Sequence, residues 1–204
     1  MVRFCEICDI ITDEISLLEV EKMETEQTVQ WHMYEMEYKG GAVESALPLV
    51  PFEEKYYEQY KNLADDCFYE MRKALNIRPY DKHSYSLDKP MELKENTFLF
   101  LNNDEIICAV TFSENGIKTV IVSLKYQRQG LGKKLMEFAI SYMQNREISP
   151  IKLTVTKWNK NAIRLYESLG FAITKESIVE GVNTKDASGD WSFEFTETKG
   201  LDIQ

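Results

Sequence analysis

The sequence predicts an α/β (α+β) fold, in which a β-sheet carries helices on its faces. Three observations support this prediction. Two strand patterns lead into amphipathic helices, three short strands follow one another as a meander, and one long amphipathic helix precedes them. The 204 residues suit a single domain. The chain has neither internal repeats nor a linker long enough to separate domains, so we predict one domain over 1–204.

The first half of the chain predicts a hairpin followed by a long helix. Residues 15–23 and 28–38 alternate in polarity, with Val29, Trp31 and Met33 on one face of the second strand. From Phe52 to Leu75, apolar residues recur at steps of three and four, which predicts an amphipathic helix. A polar loop that contains His83 is expected to continue to about Asn96.

The second half predicts alternating strands and helices. Asn102-Asn103 and Asn115-Gly116 supply the turns of a three-stranded meander. A glycine-rich loop opens the next helix, and Gly170 ends the helix after that. The expected elements are strands at 97–101, 105–112 and 116–123, a loop and helix at 130–144, a strand at 151–156, a helix at 159–169, and strands near 171–179 and 191–196.

The segment Gln127-Arg128-Gln129-Gly130-Leu131-Gly132 joins a strand to a helix and is typical of an anion-binding loop. Free N–H groups and the helix dipole at a helix N-terminus favour a bound phosphate, and glycine allows close approach. A P-loop is excluded because no hydroxyl residue follows Lys133, and the dinucleotide-binding fingerprint is excluded because its third glycine is missing. An ordinary tight turn before a helix is the structural alternative.

A second motif begins at Asn159 and ends at Phe171. Asn159 can cap the helix, and apolar residues at 162, 163, 165, 166 and 169 share one helical face. Together, Gln-x-x-Gly-x-Gly and Asn-x-x-Ala-x-x-Leu-Tyr-x-x-x-Gly-Phe resemble the GNAT superfamily of N-acetyltransferases, in the family's order and spacing. The resemblance covers about Thr97 to Thr196.

This resemblance implies the GNAT fold, with a mixed, mostly antiparallel sheet of about six to seven strands and here an N-terminal hairpin extension. It implies acetyl transfer from acetyl-CoA to a primary amine of a small molecule or peptide, by direct attack in a ternary complex and without a metal. Residues 97–200 would form the acetyl-CoA-binding core, and 1–96 the acceptor side. The alternative from another class is a catalytically silent GNAT module that binds CoA as a sensor or scaffold.

The resemblance also implies site residues. Tyr166 would donate a proton to the CoA sulfur, although a core aromatic explains the same position. Asn159 would cap its helix and also contact CoA. The strand backbone would pair with pantetheine, and the loop N–H groups with the diphosphate. The expected CoA-binding residues are Ile121, Val122, Ser123, Arg128, Gln129, Gly130, Leu131, Gly132, Lys133 and Asn159.

The general base is not apparent from the sequence. Glu114, Glu35, Glu37 and His83 are candidates, and many members of the family are thought to use water relays instead. Three tyrosines of the long helix could line an acceptor cleft, but their helical spacing favours core packing. They are Tyr56, Tyr57 and Tyr60.

Composition and net charge limit the classes of partner that the protein is expected to bind. The net charge of −10 argues against nucleic acid and is compatible with a cationic acceptor, or simply with a soluble surface. No apolar run reaches membrane-spanning length and no signal peptide is evident, so a cytoplasmic enzyme without a membrane partner is expected. Cys67 and Cys108 fit buried thiols, and the lone Cys5-Glu6-Ile7-Cys8 is weak evidence for a metal. The acceptor and the oligomeric state are not determined, and a homodimer is among the states allowed.

Overall fold

The computed structural model describes residues 25–81, 90–114 and 116–201. Eight strands form one sheet, which carries two α-helices on each face. The helices are α1 (Tyr57–Ala74), α2 (Pro90–Asn96), α3 (Leu131–Gln144) and α4 (Lys160–Ser168). The strands are β1 (Glu26–Tyr38), β2 (Val50–Pro51), β3 (Thr97–Asn102), β4 (Glu105–Ser113), β5 (Gly116–Val122), β6 (Lys152–Thr156), β7 (Phe171–Lys185) and β8 (Trp191–Leu201).

The strand order is β2-β3-β4-β5-β6-β1-β7-β8, and among these described strands β5 and β6 are the only parallel neighbours. The mixed, mostly antiparallel sheet that the sequence predicts is therefore confirmed. Eight strands exceed the expected six to seven, because two residues suffice for β2 to pair with β3 and give no pattern of alternation.

Strand β1 is an interior strand. It pairs with β7 from Glu26 to Tyr38, and with β6 on its other edge from Met33 to Glu37. Both faces of β1 are packed, because Trp31 is buried on one face and Met36 on the other. The expected partner strand at 15–23 lies outside the described residues.

The two faces of the sheet have separate cores. On one face, α3 and α4 cover residues such as Val110, Leu153 and Val155. On the other face, α1 packs over Leu99, Ala109 and Ile121, and its C-terminal end reaches a smaller cluster around Trp31. Side chains alternate between the two faces along a strand, so β4 contributes Val110 to the first core and Ala109 to the second.

The predicted helices and meander are confirmed, with small changes at their ends. The long helix begins at Tyr57, after a 3-10 turn at Glu54–Tyr56. The prediction of a loop up to Asn96 is wrong at its end, where Pro90–Asn96 is helical. Seven residues are too few for a clear helical period, whereas proline suits a first helical turn. The expected loop residue His83 lies outside the described residues.

The interpretation of the tyrosines as core residues is confirmed for two of the three. Tyr60 is fully buried, and its hydroxyl lies 2.9 Å from that of Thr111. Tyr56 is also buried, and its hydroxyl donates to Asp104 at 3.2 Å. Tyr57 is partly buried against the same core cluster. Helical spacing therefore places these rings inside the protein, as core packing requires.

Candidate functional site

A cleft opens where β5 and β6 separate. Their last register pair is Ile117 with Leu153, after which neither strand hydrogen-bonds to the other. Lys118 is an extra residue opposite β4, because Thr119 pairs with Thr111 and Ile117 with Phe112. A β-bulge of this kind bends its strand and increases the local twist, which explains why the separation begins here.

The cleft has a volume of about 510 Å³. Its walls come from the end of β5, the loop before α3, and one face of α4. Its charged lining residues are all cationic, which favours an anionic ligand in a protein whose net charge is −10. The lining residues are Val120, Val122, Gln127, Arg128, Gly130, Gly132, Lys133, Asn161, Ala162, Arg164, Leu165 and Tyr166.

The loop before α3 presents backbone donors to this cleft. The first helical bond runs from the N–H of Lys134 to the oxygen of Gly130 at 3.2 Å, so the N–H groups of Leu131, Gly132 and Lys133 have no intrahelical acceptor. Gly130 lines the cleft and has φ +81, and a Cβ built there would have no atom within 4 Å. The helix dipole adds positive potential at the same point.

Gln127 and Gly132 each have a structural role that explains why the motif contains them. Gln127 donates from Nε2 to the oxygen of Val122 at 3.0 Å, which ties the loop to the end of β5. Gly132 is close to α4, since a Cβ there would lie 3.4 Å from Leu165. The sequence motif therefore encodes both a donor-rich loop and its packing against the neighbouring elements.

Ile121, Val122 and Ser123 are the residues expected at the pantetheine, and of these Val122 lines the cleft. The Ser123 N–H donates to Ile107 at 2.9 Å, so the antiparallel pattern turns the Val122 N–H away from β4 and toward the separation. The side chain of Ile121 is buried against α1 on the opposite face. By the same register its backbone faces β4.

Helix α4 forms the opposite wall of the cleft. Asn159 caps it by accepting from the N–H of Ala162 at 3.1 Å, which confirms the predicted cap, and Asn161 of the first turn faces the cleft. Tyr166 lines the cleft and packs against Phe171, with ring centroids 6.1 Å apart. Burial raises the pKa of Tyr166 to about 12, so its phenol stays protonated and can act as a donor.

The predicted residues are therefore brought together only in part. Arg128, Gly130, Gly132, Lys133 and Tyr166 share the cleft with Val122. Gln129 instead donates to the oxygen of Lys125 at 3.2 Å. Sequence reasoning missed several lining residues, although the period of α4 could have indicated those near Tyr166. The missed residues are Val120, Gln127, Asn161, Ala162, Arg164 and Leu165.

The three candidate bases that the structure describes, Glu35, Glu37 and Glu114, do not line the cleft. Glu35 forms an ion pair with Lys152 at 3.1 Å and lines a separate pocket on the other face of the sheet. Glu37 pairs with Lys39, and Glu114 is exposed near the turn between β4 and β5. That turn is at the opposite end of β5 from the cleft. His83 lies outside the described residues.

Metal centres and membrane-spanning helices are two other kinds of site to consider for residues 25–81, 90–114 and 116–201. In these ranges no group of three or more His, Cys, Asp or Glu side chains is placed to hold a metal ion. None of the helices in the same ranges has the length and apolar character needed to cross a membrane. Cys67 and Cys108 are free thiols, and Cys5 and Cys8 lie outside the described residues.

The motifs and the cleft agree with comparisons to known proteins. The family model described as the acetyltransferase (GNAT) family matches residues 57–171. The [ribosomal protein bS18]-alanine N-acetyltransferase of Escherichia coli K12 is 42% identical over 65 residues, which are 32% of this chain and 44% of that protein. Human N-alpha-acetyltransferase 30 is 34% identical over 76 residues, or 37% of this chain and 21% of that protein. The chain thus spans less than half the length of these relatives.

Solved structures share the fold. A putative GNAT acetyltransferase from Novosphingobium aromaticivorans superposes with a TM-score of 0.54 at 15% identity, covering 78% of this chain and 66% of that one. The PaiA N-acetyltransferase of Thermoplasma acidophilum, solved with coenzyme A, gives a TM-score of 0.53 at 14% identity, covering 76% and 98% of the two chains.

Proposed function

We propose, because this chain belongs to the acetyltransferase (GNAT) family, that it transfers an acetyl group from acetyl-CoA to a primary amine. The observation that carries the proposal is the cleft between β5 and β6, whose lining combines a loop with free N–H groups, cationic side chains and Tyr166. The coenzyme A in the Thermoplasma structure supports the same choice of ligand.

The loop would bind the diphosphate. The N–H groups of Leu131, Gly132 and Lys133 supply hydrogen bonds, and Arg128 adds charge. The pantetheine would lie along Val120 and Val122, whose side chains form the apolar floor. The Val122 N–H faces the separation and would polarise the thioester carbonyl.

The reaction follows from holding the two substrates together. The amine attacks the carbonyl carbon, a C–N bond forms, and the C–S bond breaks with its electron pair going to sulfur. The amine proton leaves to water or a base, and Tyr166 donates a hydrogen bond to the departing thiolate. Tyr166 thereby stabilises charge that develops only as the bond breaks.

The acceptor is proposed to be a primary amine of a small molecule or peptide. Amino termini of proteins are the first class to test, because the names of the two relatives describe N-alpha and alanine acetylation. The acidic charge of this chain would attract a cationic amine. We also propose the cytoplasm as its compartment, since the free thiols Cys67 and Cys108 suit a reducing environment.

Incubation with labelled acetyl-CoA and a panel of peptides and small amines tests this proposal. The expected result is thiol release that depends on the acceptor and matches label incorporation. A catalytically silent CoA-binding module would bind CoA yet release no thiol in response to any amine. That outcome would reject enzymatic transfer while leaving the cleft as a ligand site.

A further inference from the structure

A second pocket lies between the end of α1 and the start of β8, and its residues are distinct from those of the acetyl-CoA cleft. It has a volume of about 320 Å³. At its centre is Arg78, whose guanidinium carbon lies 5.1 Å from the ring centroid of Tyr80 and 4.7 Å from that of Trp191. The lining residues are Tyr69, Arg78, Pro79, Tyr80, Asp81 and Trp191.

The backbone that carries Arg78 is fixed by a buried amide. Asn183 on β7 is fully buried, accepts from the Arg78 N–H at 2.7 Å and donates to the oxygen of Asn76 at 2.7 Å. The Tyr80 hydroxyl donates to the Asn76 side chain at 2.7 Å. The segment from 76 to 80 is therefore held in one conformation, which pre-organises the arginine.

The Arg78 guanidinium lies beside aromatic rings and forms no ion pair with an acidic side chain of the described residues. Its Nε is buried and has no hydrogen-bond partner. Over the ranges that the structure describes, none of the ion pairs involves Arg78. Aromatic faces stabilise the cation but accept none of its planar N–H donors well. Among the described residues none accepts a hydrogen bond from this guanidinium, so an acceptor that enters the pocket would form a charge-assisted hydrogen bond with it.

Charge around this pocket favours an anion. Lys73 lies 5.8 Å from the ring centroid of Tyr69, and Lys185 lies 5.9 Å from that of Trp191. Both lysines therefore lie beside rings of the pocket wall, while the lining itself contains Arg78 and the carboxylate of the exposed Asp81. A local positive potential on a chain of net charge −10 concentrates anionic ligands.

We propose that this pocket binds a carboxylate, which Arg78 holds through its planar N–H donors while Tyr80 and Trp191 fix the guanidinium. A carboxylate matches the fork of an arginine, and aromatic walls suit the carbon chain that carries it. The carboxylate comes either from a free small acid or from an acidic side chain of a polypeptide. The inference does not depend on acetyl transfer.

Calorimetric titration of the full chain without acetyl-CoA tests the proposal with three probes. The probes are glutarate, a glutamate-containing peptide with a blocked amino terminus, and the same peptide with glutamine in place of glutamate. The ligand-induced change in tryptophan fluorescence, to which Trp191 contributes together with Trp31 and Trp158, gives a second readout. We expect glutarate or the glutamate peptide to bind with a Kd of about 1 mM or tighter, and the glutamine peptide to bind at least about tenfold more weakly. Binding of glutarate alone assigns a small acid, and binding of the peptide alone assigns a polypeptide.

Arg78→Gln should weaken carboxylate binding by about tenfold or more relative to wild type. Arg78→Lys should have an affinity between those of wild type and Arg78→Gln, because lysine keeps the positive charge but lacks the planar pair of donors. Arg146→Gln is the matched control, since Arg146 also stacks on a tyrosine, 3.8 Å from the Tyr142 centroid, but lies outside the pocket. Thermal melts establish that each variant is folded. Failure of wild type to bind either carboxylate probe, or unchanged binding in a folded Arg78→Lys variant, would overturn the proposal.

Discussion

Replacement of Tyr166 by phenylalanine tests whether its hydroxyl acts on the leaving sulfur. The ring packs against Phe171 at 6.1 Å, and phenylalanine keeps that contact while removing only the hydroxyl. Burial raises the pKa of Tyr166 to about 12, whereas a free thiol has a pKa of about 8.5. Complete proton transfer to a thiolate of that pKa would run uphill by about 5 kcal/mol, so we expect a hydrogen bond rather than a full transfer.

The expected loss follows from this distinction. One hydrogen bond to a charged acceptor contributes about 1.5–3 kcal/mol, so the maximal rate of Tyr166→Phe should fall by about 10- to 150-fold. The affinity for acetyl-CoA should change little, because its proposed diphosphate contacts lie at Leu131, Gly132 and Lys133. Single-turnover rates with saturating amine, and calorimetric binding of acetyl-CoA, measure the two quantities separately.

The pH dependence gives a second readout. A phenol with a pKa of about 12 does not ionise below pH 10, so wild type and Tyr166→Phe should show rate profiles of the same shape up to that pH. Because the pKa in the folded state lies above the unfolded value of about 10, the protonated phenol contributes stability below pH 10 that is lost as the pH rises toward 12. An alkaline limb near pH 9–10 that disappears in the variant, or an unchanged rate per folded molecule, would refute the reasoning.

Two further predictions concern the loop and the sheet. Gly130→Val should abolish most of the roughly 2.7 kcal/mol that acetyl-CoA adds to stability at 100 times its Kd, because the side chain would project toward the phosphate site. Gly189→Val, whose φ of +91 is also left-handed but which lies at the β7–β8 turn, should keep the ligand-induced melting shift. An equal loss in both variants would point to strain alone. Thr156→Val should raise stability by about 1 kcal/mol, since the buried Thr156 hydroxyl has no partner. Thr111→Val should lower it by a similar amount, because that hydroxyl lies 2.9 Å from both Tyr60 and Thr97. Thermal unfolding measures both, and a stability loss in Thr156→Val would show that its hydroxyl is in fact satisfied.

Much of the candidate site could be predicted because its signals are local. The Asn159 cap needs only residues three positions apart, and the left-handed turn before α3 needs only glycine at position 130. Each of these features depends on neighbours within one helical turn. The sequence alone therefore located the glycine loop before α3, the cap of α4 and the cleft-facing Tyr166.

The roles of other residues could not be read from local pattern. Gln127 belongs to the motif, but its bond to Val122 appears only when the loop folds back on β5. Which N–H of the strand faces the cleft depends on the register between β4 and β5. Arg78 looks like an ordinary loop residue until Trp191, more than a hundred positions away, covers it.

Strand and helix content, the glycine loop and the family motifs follow from the sequence, because they depend on side-chain period and backbone preference over a few residues. The position of β1 between β6 and β7 follows instead from the assembled fold. The apolar residues on the two faces of β1 fit a hairpin equally well, and alternation along a strand does not specify the partner at either edge. That choice comes from burial on both faces of β1, which is a property of the assembled sheet.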